Sequence, residues 1–188
     1  MVGFGARSQT PINIQRTGEC VLNLASVNEV AAVNRLARTT GTNPVPPHKV
    51  AMGYRYEADK FGAAGLTALP AECVASPRVL ECPVHLEATL DAVHPMAVRD
   101  EGVRGVLVAL ELRIVRIHVD DAIRMDGYDD RIDPVKWRPL IMSFQQFFGL
   151  GDMVHEFTLS RIPESSYRPR GAGKPTRAIS HAAMRVAS

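Results

Sequence analysis

A chain of 188 residues, 46% hydrophobic and 22% charged, has the composition of an ordinary globular protein and the length of one domain, which excludes wholesale disorder. Its formal net charge of +2 argues for neither nucleic acid nor membrane as the main partner. No apolar run reaches the ~18 residues of a membrane span, and no basic segment followed by an apolar stretch opens the chain, so a cytoplasmic setting is expected. Cys20, Cys73 and Cys82 are odd in number and lack CxxC spacing, which favours buried free thiols over disulfides or a metal site.

The chain opens mid-strand, with Val2, Gly3 and Phe4 and no lead-in. Thr10 and Pro11 predict a helix start, a capping hydroxyl followed by a proline whose missing N–H is not needed there, and Gly18 is its predicted C-terminal cap. Cys20 to Leu24 has strand length. Ser26 and Glu29 have capping-box spacing, and Val30, Val33 and Ala37 recur at helical spacing, predicting a helix over Ser26 to Arg38. Thr39 to Lys49, rich in Thr, Pro and Gly, reads as an exposed loop. Asp59 to Ala63 predicts one helical turn, and Gly65 to Pro70 extends or turns.

Val84, Leu86, Ala88, Leu90 and Ala92 alternate as one face of a strand, and Arg99 to Gly105 is a charged turn. The longest strand follows: Val106, Val108, Leu110, Leu112 and Ile114 alternate before the phase slips to Val115, Ile117 and Val119. Such a slip requires a β-bulge or a barrel corner. Asp133 and Pro134 predict a short helix through Trp137, and Leu140 to Leu150 an aromatic-rich strand or loop. Another short turn or helix is expected over Ile162 to Pro169, and an unstructured or partner-draped tail over 168–188 after a domain spanning 1–167. The fold class is therefore mainly β with a few short helices, a small closed or split barrel.

The stretch "GARSQTP" joins a strand to a helix N-terminus, where unpaired amides carry partial positive charge. With Arg7, Ser8 and Thr10 it can cradle a phosphate; alternatively Thr10 only caps the helix and Arg7 is a solvated turn residue. It is no dinucleotide fingerprint, because GxGxxG is incomplete. The six histidines show no HxH or HxxxH pairing, so no metal is expected. His85 is assigned to the face opposite Val84 and Leu86, toward solvent or a partner, and His155, in "GDMVHEF", is a loop candidate for a functional contact. No catalytic acid, base or nucleophile emerges. This points to a bound cofactor doing the reaction, or to no reaction.

The stretches "VGFGARSQTPINIQRTGECVLNLAS", "DKFGAAGLTALPAECVASPRVLECPVHLEATL", "IVRIHVDD" and "DRIDPVKWRPLIMSFQQFFGL" resemble, in order and across nearly the whole chain, the flavin reductase-like, FMN-binding split-barrel proteins. That family includes reductase components of two-component monooxygenases. The resemblance implies a split β-barrel whose N-terminal hairpin this chain is expected to lack. It implies FMN as cofactor, NADH or NADPH as co-substrate, a homodimer and an oxygenase partner. The family's Lys-Asp-Thr phosphate contact falls on Ser8, Gln9 and Thr10, where only the threonine matches and Arg7 stands in for the lysine charge. Asn13 and Asn23 match family asparagines, and Lys60, Phe61, Gly65, Leu66 and Thr67 match a loop expected near the isoalloxazine ring. Phe144, Phe147 and Phe148 are candidates for a subunit contact or for core packing. Two alternatives to a flavin reductase stay open: a truncated, non-catalytic split barrel, and a flavin-binding module without reductase turnover.

Overall fold

The computed structural model describes residues 1–128, 130–163 and 166–167; the expected tail over 168–188 lies outside them, as does part of the element expected over Ile162 to Pro169. In chain order the elements are β1 (Val2–Gly5), α1 (Gln9–Thr17), β2 (Glu19–Leu24), α2 (Val30–Arg35), β3 (Thr39–Thr40), α3 (Pro47–Ala51), β4 (Arg55–Tyr56), α4 (Lys60–Ala64), β5 (Ala68–Leu69), β6 (Arg78–Val79), β7 (Val84–Pro95), β8 (Leu107–Val119), α5 (Pro134–Trp137), β9 (Leu140–Ser143) and β10 (Gln146–Gly149). β1, β8, β7 and β2 form a four-stranded sheet in that order, antiparallel throughout. Mainly β with short helices is the class that alternation in the sequence implies.

The phase slip is a bulge at the predicted residue. Glu87 faces Arg116 and Ala88 faces Ile114, which leaves Val115 unpaired in β8. A second irregularity lies on β7, where Leu90 faces Leu112, Ala92 faces Glu111 and Asp91 is the extra residue. Each bulge bends its strand and adds right-handed twist, so the long β7–β8 ribbon curls into half a barrel. One face of that curl is apolar. Ile14 of α1, Val108 and Leu110 are buried together, with Phe4, Ala6, Cys20, Leu90 and Leu112 packed around them; burying a side chain such as Leu110 contributes roughly 1.5–3 kcal/mol. Around the bulge β8 leaves Ile114, Val115 and Ile117 exposed.

Three predicted elements differ in extent. α1 begins at Gln9 with Ser8 at the cap position, because the Ser8 N–H donates to the Gly5 carbonyl at 2.9 Å and turns the chain into helical geometry ahead of Thr10. Pro11 then lies inside the first turn, where its absent N–H still has no intrahelical acceptor to satisfy. The Ser26–Glu29 capping box is present, but it opens a 3-10 turn over Val27–Glu29 followed by α2, which stops at Arg35. Thr39 Oγ1 donates to the Leu36 carbonyl at 2.8 Å and draws the chain into β3. The segment read as loop, Thr39 to Lys49, contains β3 and the start of α3, whose first residue is Pro47, the helical position proline tolerates best.

Candidate functional site

The phosphate contact expected from the sequence falls at the amino end of α1. Ser8 makes no side-chain cap hydrogen bond and no acidic residue stands in the first turn, so the amides of Gln9 and Thr10 precede the first intrahelical bond with no side-chain oxygen upon them. Gln9 packs against the β3 exit, its Cγ 3.1 Å from where a Cβ would stand on Gly41, a close approach that a larger residue there would spoil. Gln9 Nε2 donates to Asn13 Oδ1 at 2.8 Å, one turn along. From the other side Lys60, first residue of α4, donates to Thr39 Oγ1 at 2.6 Å. The structure thus brings Gln9, with Asn13 bonded to it, and Lys60 onto the Thr39–Gly41 segment; Arg7, Ser8 and Thr10 adjoin Gln9 in the chain.

α4 ends on Gly65, whose φ of 64° is the left-handed conformation that favours glycine. Two side chains hold the turn that follows. Arg35 of α2 donates from Nε to the Ala64 carbonyl at 2.9 Å, with its Nη2 on the same oxygen. Glu81 accepts the Thr67 N–H on both carboxylate oxygens, at 2.9 and 3.1 Å. Burial pushes the Glu81 carboxyl up, but the Thr67 hydrogen bonds outweigh it and hold the group below its usual range. Gly65 and Thr67 are thus fixed from two directions. Neither Arg35 nor Glu81 was a sequence candidate, since each acts across a separation in which no periodicity or motif operates.

The segment after Thr67 crosses the second face of the sheet, and beneath it lies a buried ionic cluster. Glu87 is 0% exposed. Its carboxylate accepts the Glu72 N–H at 2.9 Å, the Cys73 N–H at 2.6 Å and His118 Nε2 at 2.6 Å, with Arg78 Nε 3.9 Å away. Arg78 donates from Nε and Nη2 to the Pro70 carbonyl, and Arg116 pairs with Glu72 at 2.8 Å. Although burial pushes Glu87 up, the two amides and His118 hold its carboxyl below the usual range. Burial pushes His118 down against the pull of its Glu87 hydrogen bond, and the Arg78 charge lowers it further.

His85 corrects a sequence expectation. It is buried at 6% exposure, not turned to solvent or a partner, and its Nε2 bonds the Val79 carbonyl at 2.7 Å. Cross-strand pairing with His118 puts it on the face that the 66–82 segment covers, so both faces of β7 are buried there. Asn23 lies opposite His85, and its Oδ1 accepts the Val79 N–H at 2.9 Å, which ties its side chain to β6. His155 stands in exposed coil after β10, and among the described residues no hydrogen bond joins it to the other candidates. Cys82 is buried and Cys20 half-buried as free thiols, whereas Cys73 is exposed because it rides the outside of the covering segment. Burial pushes the Cys82 thiol up to about 12, which makes it inert. Among the described residues no group of histidine, cysteine and carboxylate side chains could hold a metal, and no helix is long and apolar enough to cross a membrane.

Comparison with known proteins gives concordant findings. Residues 1–151 match the family described as flavin reductase like domain. The chain is 32% identical over 154 residues to the uncharacterized protein YdfE of Bacillus subtilis (strain 168), covering 82% of this chain and 71% of that one. Among solved structures it is similar to nitrilotriacetate monooxygenase component B from Bacillus cereus, with a TM-score of 0.63 and 24% identity over 82% of this chain and 70% of that one. It is also similar to flavoredoxin of Desulfovibrio vulgaris (Miyazaki F), with a TM-score of 0.60 and 22% identity over 82% and 72% of the two chains. The structural likenesses show the fold, a split barrel.

Proposed function

The chain belongs to the flavin reductase-like family, a family of flavin-related oxidoreductases, and on that premise we propose that it binds FMN and uses it to take a hydride from NADH or NADPH. The observation that carries this reading is the amino end of α1, left without a side-chain cap and packed on the Thr39–Gly41 segment that Lys60 also reaches. Uncapped amides, a guanidinium at Arg7 and an ammonium at Lys60 are the donors that a phosphate monoester requires.

A bound flavin supplies the redox chemistry, accepting a hydride from a reduced nicotinamide. The chain's residues do the rest. Arg7, Ser8 and the amides of Gln9 and Thr10 hold the phosphate, and Asn13 keeps Gln9 in place. Gly65 and Thr67 present backbone to the ring system, and Arg35 and Glu81 position that backbone. Asn23 acts through Val79, on the strand that follows this segment. We assign the subunit contact of a homodimer to the β9–β10 hairpin, on the support of Met142, Phe144 and Phe148, apolar and exposed.

The test is titration of the protein with FMN by fluorescence quenching, followed by stopped-flow mixing with NADH and NADPH. Saturable quenching and bleaching of the flavin by either nucleotide uphold the reading. Binding without bleaching makes the chain a flavin-binding module, and absence of quenching removes FMN altogether.

A further inference from the structure

Polar groups fasten the 66–82 segment to the sheet. Between Leu66 and Glu81 only Arg78 is buried, the rest being half-buried or exposed. Neither the buried cluster of Ile14, Val108 and Leu110 nor the side chains packed around it come from this segment. From β7, Glu87 takes the Glu72 and Cys73 amides, and His85 bonds the Val79 carbonyl. From β2, Asn23 takes the Val79 amide, and Glu19 Oε1 takes the amides of Ala75 and Ser76 at 2.7 and 3.2 Å. From β8, Arg116 pairs with Glu72. A segment held by hydrogen bonds, over a core to which it adds little, can open while that core stays folded.

One of these fastenings is sensitive to a proton through its geometry. A carbonyl only accepts, so His85 donates to Val79 from Nε2, and in the neutral ring Nδ1 carries a lone pair. Nδ1 is buried, and among the described residues it has no hydrogen-bond partner. A proton taken up there creates a buried N–H with no acceptor, a penalty that is larger for a charged group than for a neutral one. The charges around the ring add to it. Facing His85 are Arg78 from the segment, His118 from β8 and Glu87 from its own strand, while β2 presents the uncharged Asn23. The two imidazoles stand 6.1 Å apart. Glu72 and Arg116 complete the cluster, so two carboxylates meet two guanidiniums and a charged His85 is a cation in excess. Burial holds His85 below the ordinary histidine value against the pull of its Val79 hydrogen bond, and the Arg78 charge lowers it further.

We propose that the 66–82 segment is a strap released by a proton: when His85 takes one up, the strap lifts from β7 and β8 while the apolar core stays folded, and bound FMN leaves through the opened form. Lifting brings Nδ1 into water, so the open form holds a proton that the closed form disfavours. Gly65 and Thr67, assigned above to the ring system, stand at the head of the strap. The FMN step rests on that flavin reading, whereas the lifting does not.

Hydrogen exchange is followed at roughly pH 7.5 and 5.5, on either side of the ordinary histidine value and above that of glutamate, with rates corrected for the intrinsic effect of pH. A histidine that titrates at about 6.5 in the open form and not at all in the closed one makes opening about tenfold more frequent across that interval. The amides of Glu72, Cys73 and Val79 are therefore expected to lose about tenfold or more in protection, while those around Leu110 keep theirs. His85→Gln, which retains a donor toward Val79 and does not titrate, should remove that tenfold, and His118→Gln should leave it in place. Unchanged protection of the three amides in wild type, an equal loss around Leu110, or a loss that follows His118 and not His85 overturns the proposal. The first two of these are read from wild type alone and stand even where a variant does not fold. FMN dissociation, followed by the return of flavin fluorescence on dilution, should be about tenfold faster at the lower pH in wild type. The phosphate of FMN titrates at about 6, and His85→Gln should keep that contribution and lose the rest. Equal pH dependence in the two proteins overturns release of FMN through the strap. Failure of FMN to bind at the higher pH overturns the flavin reading, while exchange still decides the strap.

Discussion

Glu87→Gln tests whether the buried ionic cluster fastens the 66–82 segment to the sheet. The substitution keeps shape and removes charge. In the native protein Oε1 accepts from the Glu72 N–H and from His118, while Oε2 accepts from the Cys73 N–H. If the amide oxygen keeps the first two, its NH2 group faces the Cys73 N–H, donor against donor. An unpaired buried N–H costs about 1–3 kcal/mol, and reducing two charge-assisted bonds to neutral ones costs about 1 kcal/mol more for each. The sum agrees with the roughly 3–5 kcal/mol for breaking a buried ion pair. At about 2–4 °C per kcal/mol for a chain of this size, the melting temperature should fall by roughly 10 °C. Urea denaturation gives the free energy, and hydrogen exchange localises it, with protection lost first at the amides of Glu72 and Cys73. A loss under about 1 kcal/mol, with the Cys73 amide still protected, would refute the reasoning.

Three further outcomes follow from the same geometry. His85 and His118 both titrate below the ordinary histidine value in the fold, so their contribution is present above the unfolded value of about 6.5 and is lost as pH falls toward the folded values; Glu87, also depressed, extends the loss below the ordinary glutamate range. Urea midpoints should therefore drop between pH 7.5 and 5.5, roughly, and His118→Gln should flatten that slope; a midpoint that rises on acidification contradicts the assignment. Lys60→Met should weaken FMN about tenfold, the worth of one charge-assisted bond, with little change in melting temperature; an unaltered titration curve would remove Lys60 from the phosphate site. Phe144 is 99% exposed at a φ of 47°, strained for an aromatic residue, so Phe144→Gly should leave the monomer as stable or about 0.5–1 kcal/mol more so while weakening self-association in sedimentation velocity. An unchanged oligomer would move the subunit contact off the hairpin.

How much of this was legible in the sequence depends on the range over which each residue acts. Local rules held where the partner is near: the Gly18 cap, the Ser26–Glu29 box, the Asp133–Pro134 helix start and the bulge at Val115 each depend on neighbours or on alternation within one strand. Resemblance pointed to the α1 amino end and, separately, to Lys60 in a loop expected beside the ring; that Gln9 packs on Gly41 and Lys60 bonds Thr39 no spacing rule could supply. The misreading of His85 shows the physical limit. Alternation places Val84 and Leu86 on one face and His85 and Glu87 on the other, and a one-layer sheet would wet that second face. Here the 66–82 segment covers it, delivering the Glu72 and Cys73 amides to a carboxylate that water would otherwise have solvated. A strand whose polar alternate positions hold histidine and glutamate thus reads as exposed until the covering segment is known. The same two residues that disguised the burial are the ones that make it tolerable, because His85 bonds the covering backbone at Val79 and Glu87 bonds it at Glu72 and Cys73.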